Sequence, residues 1–370
     1  MVADGFNTES SAICIYAKRL VCEMPRKGDC TPPFFAVPLQ SEINLLLKYS
    51  KDMKKVTRLF FAAVVLTGLT ACNSNDDLGS QAIEIPGITI DATDGDCCSA
   101  KEALQVYNFL QTLTPVPELS ASVDGQYDVS VYSKTGKLHT GFNELFFVVN
   151  KKSSGNYVKV FQISDLTPLM LMTKMGMQHS TPVAEKVAYF DDDYPSVKRG
   201  WVSFLMNSSE SGSWTLGYDV SVLGSNGGIE AAAITIDALP DGQAWLKNFK
   251  WNDQTFFLSL VNPTDWKTGQ NTITAYVSQK SNPITTPYAL AEEQFTIEID
   301  PRMPDMGNHT SPDNVSLTKQ NDGSYQGRIN LTMTGRWRIH LTVKDAQGNV
   351  VAGGDDLTDG YSSLYWEVTI

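Results

Sequence analysis

The stretch DGQYDVSVYSKTGKLHTGFN, residues 124–143, alternates apolar and polar side chains and then runs into a polar turn. A period of two predicts a half-buried β-strand, because successive side chains of a strand point to opposite faces. Short segments of this kind recur along the chain, and turn signals such as SSG at 153–155 and NGG at 226–228 separate them. Many short strands with polar turns predict an all-β fold of the sandwich or barrel type.

An internal repeat extends this prediction to the whole folded part. Residues 124–143 align without a gap over NDQTFFLSLVNPTDWKTGQN, residues 252–271, and both end in Thr-Gly-x-Asn. Later segments match in the same order, and a Gly-x-Trp sequence at 212–214 has its counterpart at 335–337. Because ordered self-similarity indicates duplication, we predict two tandem immunoglobulin-like β-sandwich domains. Their predicted bounds are residues 115–239 and 240–370.

The segment before the first sandwich predicts one short helix. Ser99 and Glu102 have the spacing of a capping box, in which each residue satisfies a backbone N–H of the other. We therefore predict a short helix over residues 99–114. Residues 72–98 are polar and acidic, which predicts a flexible tether.

The N-terminal region predicts that the protein is located in the cell envelope. Residues 53–71 combine a basic start, a short apolar run and small residues, which is typical of a signal peptide. Their end, with LTAC at 69–72, resembles a bacterial lipobox, in which Cys72 is lipidated and anchors the protein in the membrane. Residues 1–52 precede the signal, so we interpret them as a mis-assigned start outside the fold. The acidic NSNDD after Cys72 resembles the signal that sends some Gram-negative lipoproteins to the outer face of the outer membrane, although a plain linker explains it as well.

The charge and the cysteine content argue against a nucleic-acid-binding protein and against a disulfide-stabilised one. The formal net charge is −12, so nucleic acid is not an expected partner, since phosphate contacts need clustered Lys and Arg. Beyond Cys72, only the neighbours Cys97 and Cys98 remain, and adjacent cysteines rarely bridge each other. We therefore expect both domains to be stabilised by their cores and not by disulfides.

The second repeat carries a motif series that resembles a known family. Thr-Gly-x-Asn, a strand, Met-Pro-x-Met-Gly-x-His, a Gly-x-apolar strand and a Gly-x-Trp strand follow one another, as in the YtkA-like/FixH-like exported β-sandwich family. The first repeat resembles the family more loosely and lacks the proline. The resemblance implies copper or other cation handling at the bacterial envelope. The matching residues are Gly269, Asn271, Met303, Pro304, Met306, Gly307, His309, Tyr325, Gly327, Met333, Gly335 and Trp337.

Methionine and histidine cluster at one position of each repeat. Thioether sulfur and imidazole are suitable ligands for copper in an oxidising compartment. The candidate metal ligands of the first repeat would share one face if that segment were extended, and Met170 and Met172 extend the cluster. A structural turn with packed methionines explains the same pattern. The candidate ligands are Met175, Met177, His179, Met303, Met306 and His309.

The other two histidines are weaker candidates. His139 has Lys267 as its counterpart in the second repeat, so it is at most a third donor. His340 alternates with core positions and is expected to face outward. No nucleophile elbow, HExxH or phosphate-binding glycine loop occurs, so no enzyme activity is expected.

The sequence therefore predicts a non-catalytic, lipid-anchored envelope protein that binds copper or another soft cation. The alternative is a surface adhesion module for a glycan or partner protein, and a structural assembly subunit is a third reading. Flat aromatic rings would serve the alternative, because sugars stack on them. The aromatics expected in that role are Trp245, Trp251, Trp266 and Tyr361.

Overall fold

The computed structural model describes residues 83–241, 243–263, 265–354 and 363–370, all within one compact unit, Gly79–Ile370. The lipobox, Cys72 and the predicted signal peptide lie outside these residues. No helix in the described ranges is long and apolar enough to cross a membrane. As predicted, the described chain is mostly β-strand, with one α-helix. The immunoglobulin-like strand arrangement stays a prediction.

The first half forms two facing sheets. One sheet has the order β1-β3-β5-β9-β8, with β2 also on β3, and the other has the order β11-β10-β6-β7. A separate parallel pair joins β4 to β12. The strands β1 to β12 are Thr114–Pro115, Ala121–Val123, Tyr127–Ser133, Leu138–His139, Gly141–Lys151, Phe161–Met172, Met177–His179, Ala188–Tyr189, Lys198–Phe204, Gly212–Val222, Ser225–Ile234 and Ile236–Asp237.

The second half is one continuous hydrogen-bonded path of strands. Its order is β13-β14-β15-β19-β18-β16-β20-β21, with β17 on β16 and β22 on β20. The strands β13 to β22 are Leu246–Trp251, Gln254–Asn262, Gly269–Gln279, Thr296–Met303, His309–Thr310, Val315–Lys319, Tyr325–Leu331, Arg336–Lys344, Val350–Gly353 and Tyr365–Thr369.

Each half has its own apolar core. The first core lies between the two sheets and includes Trp214 and Tyr218, and the second includes Trp337 and Trp366. Strand β3 alternates buried and partly exposed residues, as its sequence predicts. Residues 145–149 of β5 are instead buried without a break, because Phe146 and Val148 on the outer face are covered by the helix.

That helix, α1, spans Ala100–Leu110 and begins with the predicted capping box. The Ser99 amide donates to Glu102 Oε2 at 2.8 Å, and the Glu102 amide donates to Ser99 Oγ at 3.4 Å. The helix ends four residues before the predicted limit. Thr114 precedes Pro115, which disfavours helical backbone at Thr114, and both residues pair with β3 instead.

The predicted flexible tether is wrong for its described part. Ile85, Cys97 and Cys98 are buried against the first sandwich, together with α1. The Cys98 amide donates to the Tyr157 carbonyl at 2.8 Å. Apolar side chains among the acidic residues thus bring residues 85–98 onto the fold. The two thiols form no disulfide.

His340 does not face outward as predicted, since only 4% of it is exposed. Strand β20 lies between β16 and β22, and all its residues from Trp337 to Leu341 are buried. Both faces of this strand are therefore covered. The alternation of apolar and polar residues along β20 consequently does not distinguish a solvent-exposed face from a buried one. The His340 ring lies 6.3 Å from the ring of Tyr365.

The two halves contact each other directly. The segment after β7 runs beside the second half, where the Ser180 amide donates to the Ile284 carbonyl at 2.7 Å and Pro182 bridges with Tyr288. Trp201 stacks on Tyr276 with ring centroids 4.7 Å apart. The residues directly after His179 therefore form part of the junction between the two halves.

Candidate functional site

The hairpin of β6 and β7 gathers methionine and histidine on one face. Met172 pairs with Met177, and Met170 pairs with His179. Directly opposite residues of an antiparallel pair share a face, and so do residues two apart in one strand. All four side chains therefore lie on the same face of this hairpin. They supply three thioether sulfurs and one imidazole.

The four side chains run from the core to the surface. Met170 is 1% exposed, Met172 packs partly against the first core, and Met177 is 46% exposed. Gly212, which pairs with Met172, makes room for Met170, because a Cβ on Gly212 would collide with the Met170 methyl group. The sulfur atoms of Met172 and Met177 therefore lie at the turn end of the hairpin, and Met170 lies deeper in the core.

Trp214 adjoins the same cluster. It pairs with Met170 across β6 and β10, and its ring makes an edge contact with His179 at 5.5 Å between centroids. Its Nε1 donates to the carbonyl of Met206 at 3.0 Å, which holds the indole in place. The indole of Trp214 therefore lies against one side of the partly exposed imidazole.

Local hydrogen bonding orients the His179 ring. Its Nδ1 lies 2.8 Å from the carbonyl oxygen of Ser180, and only a protonated nitrogen can bond to a carbonyl. The neutral imidazole then carries its lone pair on Nε2, the arrangement found in metal-ligating histidines. In this tautomer Nε2 is the ring nitrogen that can accept a hydrogen bond or bind a ligand.

Met175 is placed differently from the other predicted ligands of the first half. It lies in the turn between β6 and β7, where Gly176 takes a left-handed φ of 61°. The extended conformation that would align Met175 with Met177 and His179 does not form. Met175 is 57% exposed and outside the ladder of opposed residues.

The second half of the chain brings together fewer of its predicted ligands. Met303 pairs with His309 across β16 and β17, which matches Met170 and His179. Met303 is buried, and a Cβ on Gly335 would lie 2.7 Å from its methyl group. His309 is exposed, with Nε2 3.4 Å from Thr332 Oγ1. Met306 is exposed in the single-turn 3-10 helix Pro304–Met306 between these strands.

Soft donors fit these sites better than hard ones. Within the described ranges, no three His, Cys, Asp or Glu residues come together as a metal cluster. The acidic loop around Asp91 is a turn, in which Thr93 hydrogen bonds hold the pKa of Asp91 below its usual value. Asp94 pairs with Lys151 at 2.8 Å. Thioether and imidazole suit Cu(I), so the β6–β7 hairpin has the donor chemistry for that ion.

His139 belongs to another part of the first half. Its Nδ1 lies 2.9 Å from the Thr140 carbonyl, and its ring makes an edge contact with Trp245 at 5.7 Å. Trp245 and Phe142 line a cleft of about 400 Å³ with His139, Glu144 and Asn262. Trp245 also packs against the second core, as do Trp251 and Trp266, which do not line this cleft. Tyr361 lies outside the described residues.

A buried asparagine is bonded in the same way in both halves. Asn143 donates to the carbonyls of His139 and Gly141, and its Oδ1 accepts from the His139 amide. Asn271 makes the same three bonds to Lys267 and Gly269. The glycines take φ of +88° and +91°, a conformation that favours glycine. The repeated Thr-Gly-x-Asn motif is therefore a structural corner.

The second of these corners lies within a segment that matches a known family. Residues 251–342 match the YtkA-like family model. The YtkA-like segment contains Met303, Met306 and His309 and runs from the end of β13 into β20. The first half, with the four-residue methionine and histidine face, lies before it. No curated protein matches the chain in sequence.

Several solved structures resemble the chain at low similarity. Dimeric latent PorU from Porphyromonas gingivalis is 12% identical, with a TM-score of 0.17 over 70% of this chain and 24% of that chain. SGBP-B of the Bacteroides ovatus mixed-linkage glucan utilization locus, solved with a mixed-linkage heptasaccharide, is 10% identical, with a TM-score of 0.14 over 63% and 66%. The C-terminal domain of Streptococcus pyogenes AspA is 10% identical, with a TM-score of 0.12 over 63% and 94%.

Proposed function

We propose that this protein is a non-catalytic binding module of the bacterial envelope that binds a soft cation, Cu(I), through the β6–β7 hairpin. The observation that supports it is the shared face of Met170, Met172, Met177 and His179. Three thioethers and one imidazole form a neutral, soft donor set, which favours Cu(I) over hard divalent cations. The Met303–His309 pair of the YtkA-like segment is a second, weaker site, because only one methionine opposes its histidine.

A Cu(I) titration under anaerobic conditions, with a chromophoric chelator as competitor, tests this function. We expect Met172→Leu, Met177→Leu and His179→Ala each to weaken binding by roughly tenfold or more, since each removes a donor. Met175→Leu is the matched control, because Met175 is an exposed methionine like Met177 and is close in sequence but lies in the turn. If all four variants bind Cu(I) with the same affinity, the hairpin is not the Cu(I) site.

We also propose that the chain is lipidated on Cys72 and held at the outer membrane of a Gram-negative bacterium. The LTAC sequence and the apolar run before it support this placement. Metabolic labelling with a clickable fatty acid should mark the protein and should not mark Cys72→Ala. Protease treatment of whole cells distinguishes an outward-facing anchor from one that faces the periplasm.

We further infer that the two halves are tandem copies of one domain. The buried asparagine corner, the opposed Met–His pair and the tryptophan that bonds back to a methionine carbonyl occur in both. A structure-guided alignment of the halves should place these residues in register. A register that separates any of the three would argue for two unrelated sandwiches.

Glycan binding is the second candidate function, and the cleft beside Trp245 favours it. Its aromatic rings and the polar side chains of Glu144 and Asn262 are the combination on which sugar rings stack and form hydrogen bonds. Soluble oligosaccharides should quench tryptophan fluorescence in the native chain and not in Trp245→Ala. Trp251→Ala is the control, since Trp251 also packs against the second core but does not line this cleft.

A further inference from the structure

Lys198 occupies a position that faces the interior of the first sandwich. It pairs with Phe147 of β5, which is fully buried in the first core. Because opposed residues share a face, the lysine points inward at the end of β9. It is 6% exposed. A lysine at a core-facing position requires an explanation, because charged side chains are rarely buried unless paired.

No carboxylate neutralises this lysine within the described part of the chain. Its Nζ lies 4.6 Å from the ring centroid of Tyr189 and 5.1 Å from that of Phe161. Two aromatic faces stabilise a cation only in part, and they accept none of its hydrogen bonds in the manner of an oxygen. The ammonium group therefore has hydrogen-bonding capacity left for a ligand.

The lysine lines a cleft at the junction of the two halves. The cleft has a volume of about 640 Å³, and its walls are residues 162–166 of β6, residues 183–187, and Pro287 with Ala289 from the second half. Ile163 and Leu166 make part of the wall apolar. Asp165, Glu185 and the exposed Lys186 also line it, and neither carboxylate forms an ion pair with Lys198.

We propose that this cleft binds a small organic monocarboxylate, with Lys198 as its counter-ion. The carboxylate would pair with the ammonium group and the hydrocarbon body would lie along the apolar wall. Asp165 and Glu185 balance the charges of Lys186 and Lys198, so the cleft has no net positive charge to favour a dianion such as phosphate. This site is separate from the proposed copper ligands, so either can fail without the other.

Equilibrium dialysis of the full chain against radiolabelled hexanoate tests the proposal, with hexanamide as the neutral counterpart. We expect saturable hexanoate binding that is at least about tenfold weaker in Lys198→Met, since a charge-assisted bond is lost. Lys101→Gln is the control, because Lys101 is an exposed lysine on α1. Unlabelled hexanamide and inorganic phosphate should not compete.

Four results would overturn the proposal. They are the absence of saturable hexanoate binding, equal binding by a folded Lys198→Met, equal competition by hexanamide, and stronger competition by phosphate. Near-ultraviolet circular dichroism establishes whether Lys198→Met is folded. If it is not, the comparison of hexanoate with hexanamide on the native chain still decides whether the negative charge is required.

Discussion

Met170 and His179 lie directly opposite each other on β6 and β7, on the face that also carries Trp214. The relationship is repeated by Met303 and His309 in the second half. In each half the methionine is buried beneath a glycine, and the histidine lies nearer the surface. The first half differs by one further opposed pair, Met172 and Met177, on the same face of the hairpin.

Gly212→Ala should disturb this face without touching a donor atom. The added Cβ would displace the Met170 methyl group, and overpacking of this kind costs about 1–3 kcal/mol of unfolding free energy. We also expect weaker Cu(I) binding, because the sulfur of Met170 has to move with its methyl group. Gly95→Ala is the control, since no atom lies within 4 Å of its added Cβ. Urea denaturation and the chelator competition measure the two effects.

Asn143→Ala should destabilise the first sandwich. Truncation removes the partners of the His139 and Gly141 carbonyls and of the His139 amide. Leaving backbone groups without partners costs roughly 1–3 kcal/mol each when they are buried. Asn108→Ala, on the exposed face of α1, should change the unfolding free energy by less than about 0.5 kcal/mol. An equal loss in both variants would show that the corner contributes nothing specific.

The thiols of Cys97 and Cys98 should be inert in the native protein. Burial raises the pKa of Cys97 to about 11, and burial also raises the pKa of Cys98. The reactive thiolate is therefore scarce at pH 8. We expect iodoacetamide to label these two residues only after unfolding in guanidinium, as read by peptide mass spectrometry. Fast native labelling would show that residues 85–98 open readily.

Lys198 gives a stability difference that depends on pH. Burial lowers its pKa below the ordinary 10.5, so between the folded pKa and 10.5 the unfolded chain binds more protons. Stability of the native protein should rise with pH across that window. Lys198→Met buries no charged amine, so its free energy of unfolding should exceed that of the native protein at neutral pH. This difference should shrink as the pH rises towards 10.5. Denaturation midpoints for both proteins from pH 7 to about 10.5 measure it. A constant difference would mean that burial does not affect this amine.

Much of the fold could be predicted from local sequence, because alternation and capping act over a few residues. The strand Tyr127–Ser133 and the capping box of Ser99 with Glu102 are examples. Features that depend on what covers a strand could not be predicted. His340 is buried because β20 is covered on both faces. Residues 85–98 pack against the fold because their apolar side chains contact a sheet that is distant in sequence.

The candidate site was predictable only in part for the same reason. The sequence indicated that methionine and histidine cluster, and it included Met170 and Met172. Which of them share a face depends on the register of β6 against β7, which places Met175 in the turn. The inward position of Lys198 depends on its pairing with Phe147, a residue about fifty positions away. The local sequence around a single lysine does not indicate which strand it will pair with or which face it will occupy.

The most direct test of the copper proposal is an NMR titration of the chain, with isotope-labelled methionine methyl groups, by Cu(I). We predict that the methyl resonances of Met170, Met172 and Met177 shift together and saturate at about one equivalent of Cu(I), ahead of Met303. The Met175 resonance should stay in place, and with a competing chelator present His179→Ala should need roughly tenfold more free Cu(I) for the same shifts. If these three resonances do not respond, or if Met175 and Met306 respond first, the β6–β7 hairpin is not the Cu(I) site.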